Sequence, residues 1–133
     1  MPETEDQALV AAAQDVIKRR YRPDWHVVGA ALRLGSGQIF TGVHLEANVG
    51  RIAVCAEAIA LGRAITEIGS NDIQTIVAVY HRADGTIVVV APCGMCREMI
   101  SDYAPSATVL VPTTDGSFVR RAIADLLPAK YMR

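Results

Sequence analysis

Two short segments hold the residues able to do chemistry: C-A-E at 55–57 and P-C-G-M-C-R at 92–97. They contain all three cysteines of the chain, Cys55, Cys93 and Cys96, and one carboxylate, Glu57, two residues after the first of them. Both segments open stretches rich in helix formers. At a helix N-terminus, unpaired backbone N–H groups and the helix dipole favour negative charge, which drives a thiol toward the thiolate that binds metal. Three thiolates converging from two helix ends make a three-ligand zinc site. A closed structural site takes four protein ligands, whereas three leave a position for water. Glu57 on the first turn then lies near the metal without ligating it, where a carboxylate shielded from water can pass a proton.

Plainer readings exist for each group. C-G-M-C can be a redox couple, a buried cysteine can act as a small hydrophobe, and Glu57 can be an acidic first-turn residue favoured by the dipole. The redox reading accounts for neither Cys55 nor the carboxylate beside it.

The elements that must position these groups follow from pattern. T-E-D-Q (4–7) offers a capping box, after which Leu9, Ala13, Val16, Ile17 and Tyr21 recur at helical spacing until Pro23. H-V-V-G-A-A-L-R-L (26–34) and Q-I-F-T-G-V-H-L (38–45) flank a G-S-G turn as a β-hairpin. Residues 55–68 form a helix with Gly69 as its C-terminal cap. I-Q-T-I-V-A-V-Y-H (73–81), T-I-V-V-V-A (86–91) and A-T-V-L-V-P (107–112) are further strands, with a helix from Pro92 to about Tyr103 between the last two. His81, at a strand end, is assigned a structural role. A D-G turn leads to a short C-terminal helix around I-A-D-L-L. The expected fold is α/β: a mixed five-stranded sheet covered by helices on both faces, in one domain over 1–133.

Composition narrows the partners. A chain of 133 residues, 51% hydrophobic with net charge −1, has no basic footprint for nucleic acid. The acidic N-terminus lacks a signal-peptide core, no apolar run is long enough for a bilayer, and three cysteines do not make a disulfide framework. The expectation is a cytoplasmic protein in a reducing compartment, with no membrane or nucleic-acid partner.

C-A-E followed by P-C-G-M-C-R resembles the cytidine deaminase family of zinc hydrolases in its all-cysteine form. V-G-A-A-L (28–32), G-Q-I-F-T-G-V (37–43), Glu46 and the ending L-L-P (126–128) also resemble stretches of its small homotetrameric members. The resemblance implies the three-layer α/β/α fold of that family and Zn²⁺ held by Cys55, Cys93 and Cys96. It implies that Glu57 moves protons between the attacking water, the ring nitrogen and the departing ammonia. It also implies a cytosine nucleoside substrate, its base read by backbone around Ala56, and a homotetramer, or a dimer, in which Tyr131 reaches a neighbour's site. Arg97, next to Cys96, is expected to donate hydrogen bonds to thiolate sulfur. The family's N-x-E sugar grip is H-L-E here: Glu46 is kept, but His44 replaces asparagine. C-A-E-A-I-A-L-G is as close to the blasticidin S deaminases, a sister branch, so an antibiotic cytosine nucleoside is the alternative substrate. A zinc-stabilised binding protein without turnover is the rival from another class, disfavoured by the retained Glu57.

Overall fold

The computed structural model describes residues 2–133, with side chains from Glu5 onward. In chain order its elements are α1 (Pro2–Arg20), β1 (Val28–Leu34), β2 (Ile39–Val43), α2 (Ala56–Ile68), β3 (Ile73–His81), β4 (Ile87–Val90), α3 (Gly94–Tyr103), β5 (Thr108–Pro112) and β6 (Phe118–Ala122). Single 3₁₀ turns cover Gly50–Ile52 and Ile123–Leu126.

The sheet runs β2-β1-β3-β5-β6, with β4 pairing the last part of β3. It is mixed: β3 and β5 are parallel, and every other pair is antiparallel. Alternation along the central strands sends side chains to two cores. Val77, Val79 and Ala31 meet Leu9, Ala13 and Ile17 of α1 on one face. On the other, Ala30, Leu32, Ile76 and Ala78 meet α2 and α3 through Ala56, Ala60, Leu61 and Ile100. Helices therefore cover both faces, as expected from the sequence.

Two glycines set how closely those layers approach. A Cβ on Gly29 would lie 2.7 Å from the Ala13 carbonyl oxygen of α1. One on Gly42 would lie 2.6 Å from the Ala60 nitrogen and 2.7 Å from the Ala56 oxygen of α2. Bare backbone at Gly42 thus lets the start of α2 seat directly on β2. At its other end α2 stops at Gly69, whose left-handed φ of 67° lets its N–H return to the Ala64 and Ile65 carbonyls.

The structure corrects three expectations. The sheet has six strands rather than five, because F-V-R-R-A (118–122) forms an edge strand beside β5. Its arginines are exposed, so it lacks the apolar alternation that marks a strand; it is fixed instead by pairing and by Arg120, which donates at 2.7 Å to both carboxylate oxygens of buried Asp6 on α1. The expected C-terminal helix is only the 3₁₀ turn Ile123–Leu126. Finally, α1 begins at Pro2, so Thr4 lies inside the helix instead of capping it.

Candidate metal and catalytic site

Cys55 and Cys93 are the N-caps of α2 and α3, both in extended backbone conformation. A serine or aspartate there would turn its side chain back onto the helix N–H groups. Neither cysteine makes such a bond, and each sulfur faces the other helix. Cys96 follows one turn into α3 and is buried.

The three sulfurs lie within 4.8 Å of one another, Cys55 Sγ and Cys93 Sγ at 3.5 Å. All three are free thiols. Tetrahedral zinc with bonds of about 2.3 Å requires sulfurs about 3.8 Å apart, so the cluster fits the ion with little adjustment.

Electrostatics supports the same occupant. Burial, then the contact with Cys93, pushes the Cys55 thiol above its usual value. Burial also pushes Cys96 up, the charge of Glu57 adding to it. At Cys93 burial works in the same sense, but the Cys96 backbone N–H and the two neighbouring thiols outweigh it and hold that thiol below its usual value. Three thiolates cannot gather here without a cation between them, and a bound dication supplies that compensation.

Glu57 is 7% exposed in the first turn of α2. Burial raises its carboxyl above the usual value, against weaker hydrogen bonds from its own backbone and Cys96; no positive side chain contributes. A buried carboxyl without a cation can hold a proton and release it.

A cavity of about 230 Å³ opens beside these groups. Of the residues singled out from sequence, it brings together Cys55, Cys93, Ala56, Glu57 and His44. Val28 of β1, Ala78 of β3 and Val90–Ala91 at the end of β4 complete its wall. No sequence signal marks these small apolar residues beyond their place in strands. His44 Nε2 stands 4.0 Å from Glu46 Oε2, while its buried Nδ1 has no hydrogen-bond partner among the described residues. Glu46 does not line the cavity and accepts from the Ala47 N–H at 2.9 Å.

Two assigned residues lie elsewhere. Tyr131 is 78% exposed and lines a separate surface groove with Glu98, Asp102 and Tyr103. Arg97 donates through Nε to the Pro92 carbonyl (2.9 Å) and through Nη1 to the Leu126 carbonyl (3.1 Å). Its hydrogen bonds among the described residues therefore go to backbone carbonyls, and none goes to sulfur. His81 does not line the cavity; its ring is stacked on Tyr21 with centroids 3.6 Å apart.

Residues 3–111 match a family model described as the zinc-binding region of cytidine and deoxycytidylate deaminases. The chain is 48% identical over 133 residues to a blasticidin-S deaminase of Bacillus cereus, spanning 97% of this chain and 94% of that protein. It is 30% identical over 119 residues to a cytidine deaminase of Mycoplasma pneumoniae, spanning 89% and 87%. The crystal structure of a cytidine deaminase from Burkholderia pseudomallei superposes with a TM-score of 0.79 at 28% identity, over 94% of this chain and 98% of that one. A cytidine deaminase from Bacillus anthracis gives a TM-score of 0.81 at 21% identity, over 96% and 89%, a likeness of fold alone.

Proposed function

The chain belongs to the cytidine and deoxycytidylate deaminase family of zinc enzymes, and from that premise we propose that it removes the exocyclic amine of a cytosine nucleoside by hydrolysis. The products are the uracil nucleoside and ammonia. One observation carries this reading: a buried carboxylate with no positive partner, Glu57, lies two residues after one of three converging cysteine sulfurs.

Cys55, Cys93 and Cys96 are assigned to the metal. Zinc held there would supply a Lewis acid that makes a water proton acidic near neutral pH. Glu57 accepts that proton as the water oxygen adds to the amino-bearing carbon of the ring. It passes that proton to the adjacent ring nitrogen, then takes the remaining proton of the added hydroxyl and hands it to the leaving amine, so that the C–N bond breaks and ammonia departs neutral. Its burial keeps bulk water from exchanging the proton between steps. The backbone of Ala56, at the same helix start, meets the base.

His44 and Glu46 are assigned to the substrate's far end. The 4.0 Å between His44 Nε2 and Glu46 Oε2 suits one shared hydroxyl, which donates to the carboxylate and accepts from the ring N–H. Within the same chemistry, the 48% identity to a blasticidin-S deaminase favours a second reading, in which the nucleoside is an antibiotic of that type rather than cytidine. Ultraviolet assays on cytidine, deoxycytidine, cytosine, 5-methylcytidine and blasticidin S test both. A kcat/KM for blasticidin S well above that for cytidine selects the second reading. Turnover of none of them overturns both and leaves the non-catalytic zinc protein.

The assembly proposed is a homotetramer, with a dimer as the alternative, in which Tyr131 enters a second copy's cavity. Its exposure, outside its own chain's cavity, supports this. A monomer with full activity in light scattering would remove Tyr131 from the site. Free thiols agree with a cytoplasmic location, and no described helix is long and apolar enough to cross a membrane.

A further inference from the structure

R-P-D-W-H (22–26) folds into a closed loop between α1 and β1. The Arg22 N–H donates to the His26 carbonyl (3.0 Å), and the N–H groups of His26 and Trp25 return to the Arg22 carbonyl (2.9 and 3.0 Å). Asp24 takes the left-handed φ of 59° that so tight a loop requires, and the Arg22 guanidinium lies over the Trp25 ring at 5.6 Å. Both backbone polar groups of His26 are thereby used, and its ring is held in place.

That ring reaches across 18 residues to put Nδ1 2.9 Å from the His44 carbonyl oxygen, in a part-buried contact. A carbonyl only accepts, so Nδ1 must carry the proton. The His44 N–H donates in turn to the Val28 carbonyl at 2.9 Å. His44 is thus gripped on both sides of its backbone by one short segment, 26–28. Its own ring makes no hydrogen bond among the described residues, since Nδ1 is unpartnered and Nε2 is 4.0 Å from Glu46. The backbone alone fixes where this wall of the cavity stands.

We infer that His26 is a positioning residue for substrate recognition: by holding the His44 carbonyl, it sets the place of the His44 ring in the cavity. His26 itself lines an outward groove with Arg20, Leu45 and Arg63, not the cavity, so it acts only through His44. The inference rests on the proposed nucleoside deamination, in which His44 meets the part of the substrate remote from the reacting carbon.

Kinetics of His26→Ala and His26→Asn on a nucleoside and on free cytosine test it. With His26→Ala, nucleoside kcat/KM falls about tenfold, through KM and with kcat nearly unchanged, while cytosine, which carries nothing to meet His44, is processed as before. His26→Asn, whose side-chain N–H₂ can stand where Nδ1–H stood, restores the nucleoside value. In a His44→Ala background, His26→Ala does nothing further. Equal losses on both substrates, or no rescue by asparagine, would show that His26 merely supports the fold.

A readout without substrate separates this from failure of the parent reading. In ¹⁵N-resolved imidazole spectra of the zinc-loaded protein, His26 Nδ1 should be protonated. The His44 ring signals should move in His26→Ala and return in His26→Asn. An unprotonated His26 Nδ1, or His44 signals indifferent to both substitutions, overturns the inference even if nucleosides are turned over. Expected spectra with no turnover of any nucleoside would leave His26 as the buttress of His44 and remove only the deaminase reading.

Discussion

At one end of the cavity, Cys55 and Cys93 hold nearly the same backbone conformation, φ −67° with ψ 150° and φ −68° with ψ 170°, each at the start of a helix. At the other end, His44 and Glu46 stand on the segment after β2, tied across by the Leu45–Val54 bridge, with a histidine ring that makes no hydrogen bond among the described residues. The first arrangement is rigid because the helix start that orients each sulfur is itself held on the sheet, at α2 by the backbone approach over Gly42. The second depends on one loop buttressing another. Chemistry that requires fixed ligand geometry is set on helix starts, whereas recognition is set where a few substitutions can change the partner.

The largest effect should come from the rigid end. Cys93→Ser keeps a residue that caps helices well, so α3 should still form while the metal loses a sulfur ligand. Metal analysis should show zinc falling from one per chain toward none, with turnover lost, while circular dichroism retains the helices. Zinc and activity that both survive this change would break the three-sulfur assignment. Next comes Glu57→Gln, which keeps size and polarity but cannot take a proton. Zinc should stay bound and kcat should fall by about 10²–10⁴-fold. Near-normal turnover would reduce Glu57 to a residue that merely suits the helix dipole.

The same contrast explains what was legible in the sequence. Cys55, Glu57, Cys93 and Cys96 stand out because their chemistry is local: a helix start, a thiol and a carboxylate two residues on. Gly69 ends α2 as expected, because an αL cap needs a residue without Cβ. β6 escaped because its evidence is not local; Arg120 finds Asp6 across 114 positions, and the strand's second half, Arg120–Ala122, is exposed. His26 escaped for the same reason. Nothing in W-H-V-V announces that its ring will bond a backbone carbonyl 18 residues away. Trp25 and His26 could be noticed only as residues standing before the V-V-G strand.

A smaller effect should come from the adaptable end. His44→Asn replaces a bulky ring that has an unpartnered buried nitrogen by a shorter amide able both to donate and to accept. If the substrate is cytidine, kcat/KM should rise about tenfold, equivalent to ~1.4 kcal/mol of regained transition-state binding, with free cytosine remaining a poor substrate. If the substrate is the antibiotic type, the same change should lower its kcat/KM and narrow its lead over cytidine. Steady-state kinetics of both proteins on cytidine, deoxycytidine, cytosine and blasticidin S distinguish the cases. A fall on every compound would mean that histidine is tuned to some other ligand.

The smallest effect on turnover should come from Arg97, which lies behind the metal end and lines no part of the cavity. Its Nε bond to the Pro92 carbonyl steadies the residue before Cys93, and its Nη1 bond to the Leu126 carbonyl holds the turn that leads to the tail bearing Tyr131. If these bonds are its whole role, Arg97→Gln removes two charge-assisted contacts, each worth about 1.5–3 kcal/mol at most. Some of that returns as the freed carbonyls meet water. The variant should then lose about 2 kcal/mol of stability, seen as a melting temperature several degrees lower. Zinc content and kcat should stay close to those of the parent, because no contact to sulfur has been removed. If the guanidinium instead tempers the charge of the thiolates, the pattern inverts, and kcat falls while the melting temperature holds. Calorimetry and kinetics on the same pair of proteins decide between them, and the bonds to two carbonyls favour the first outcome.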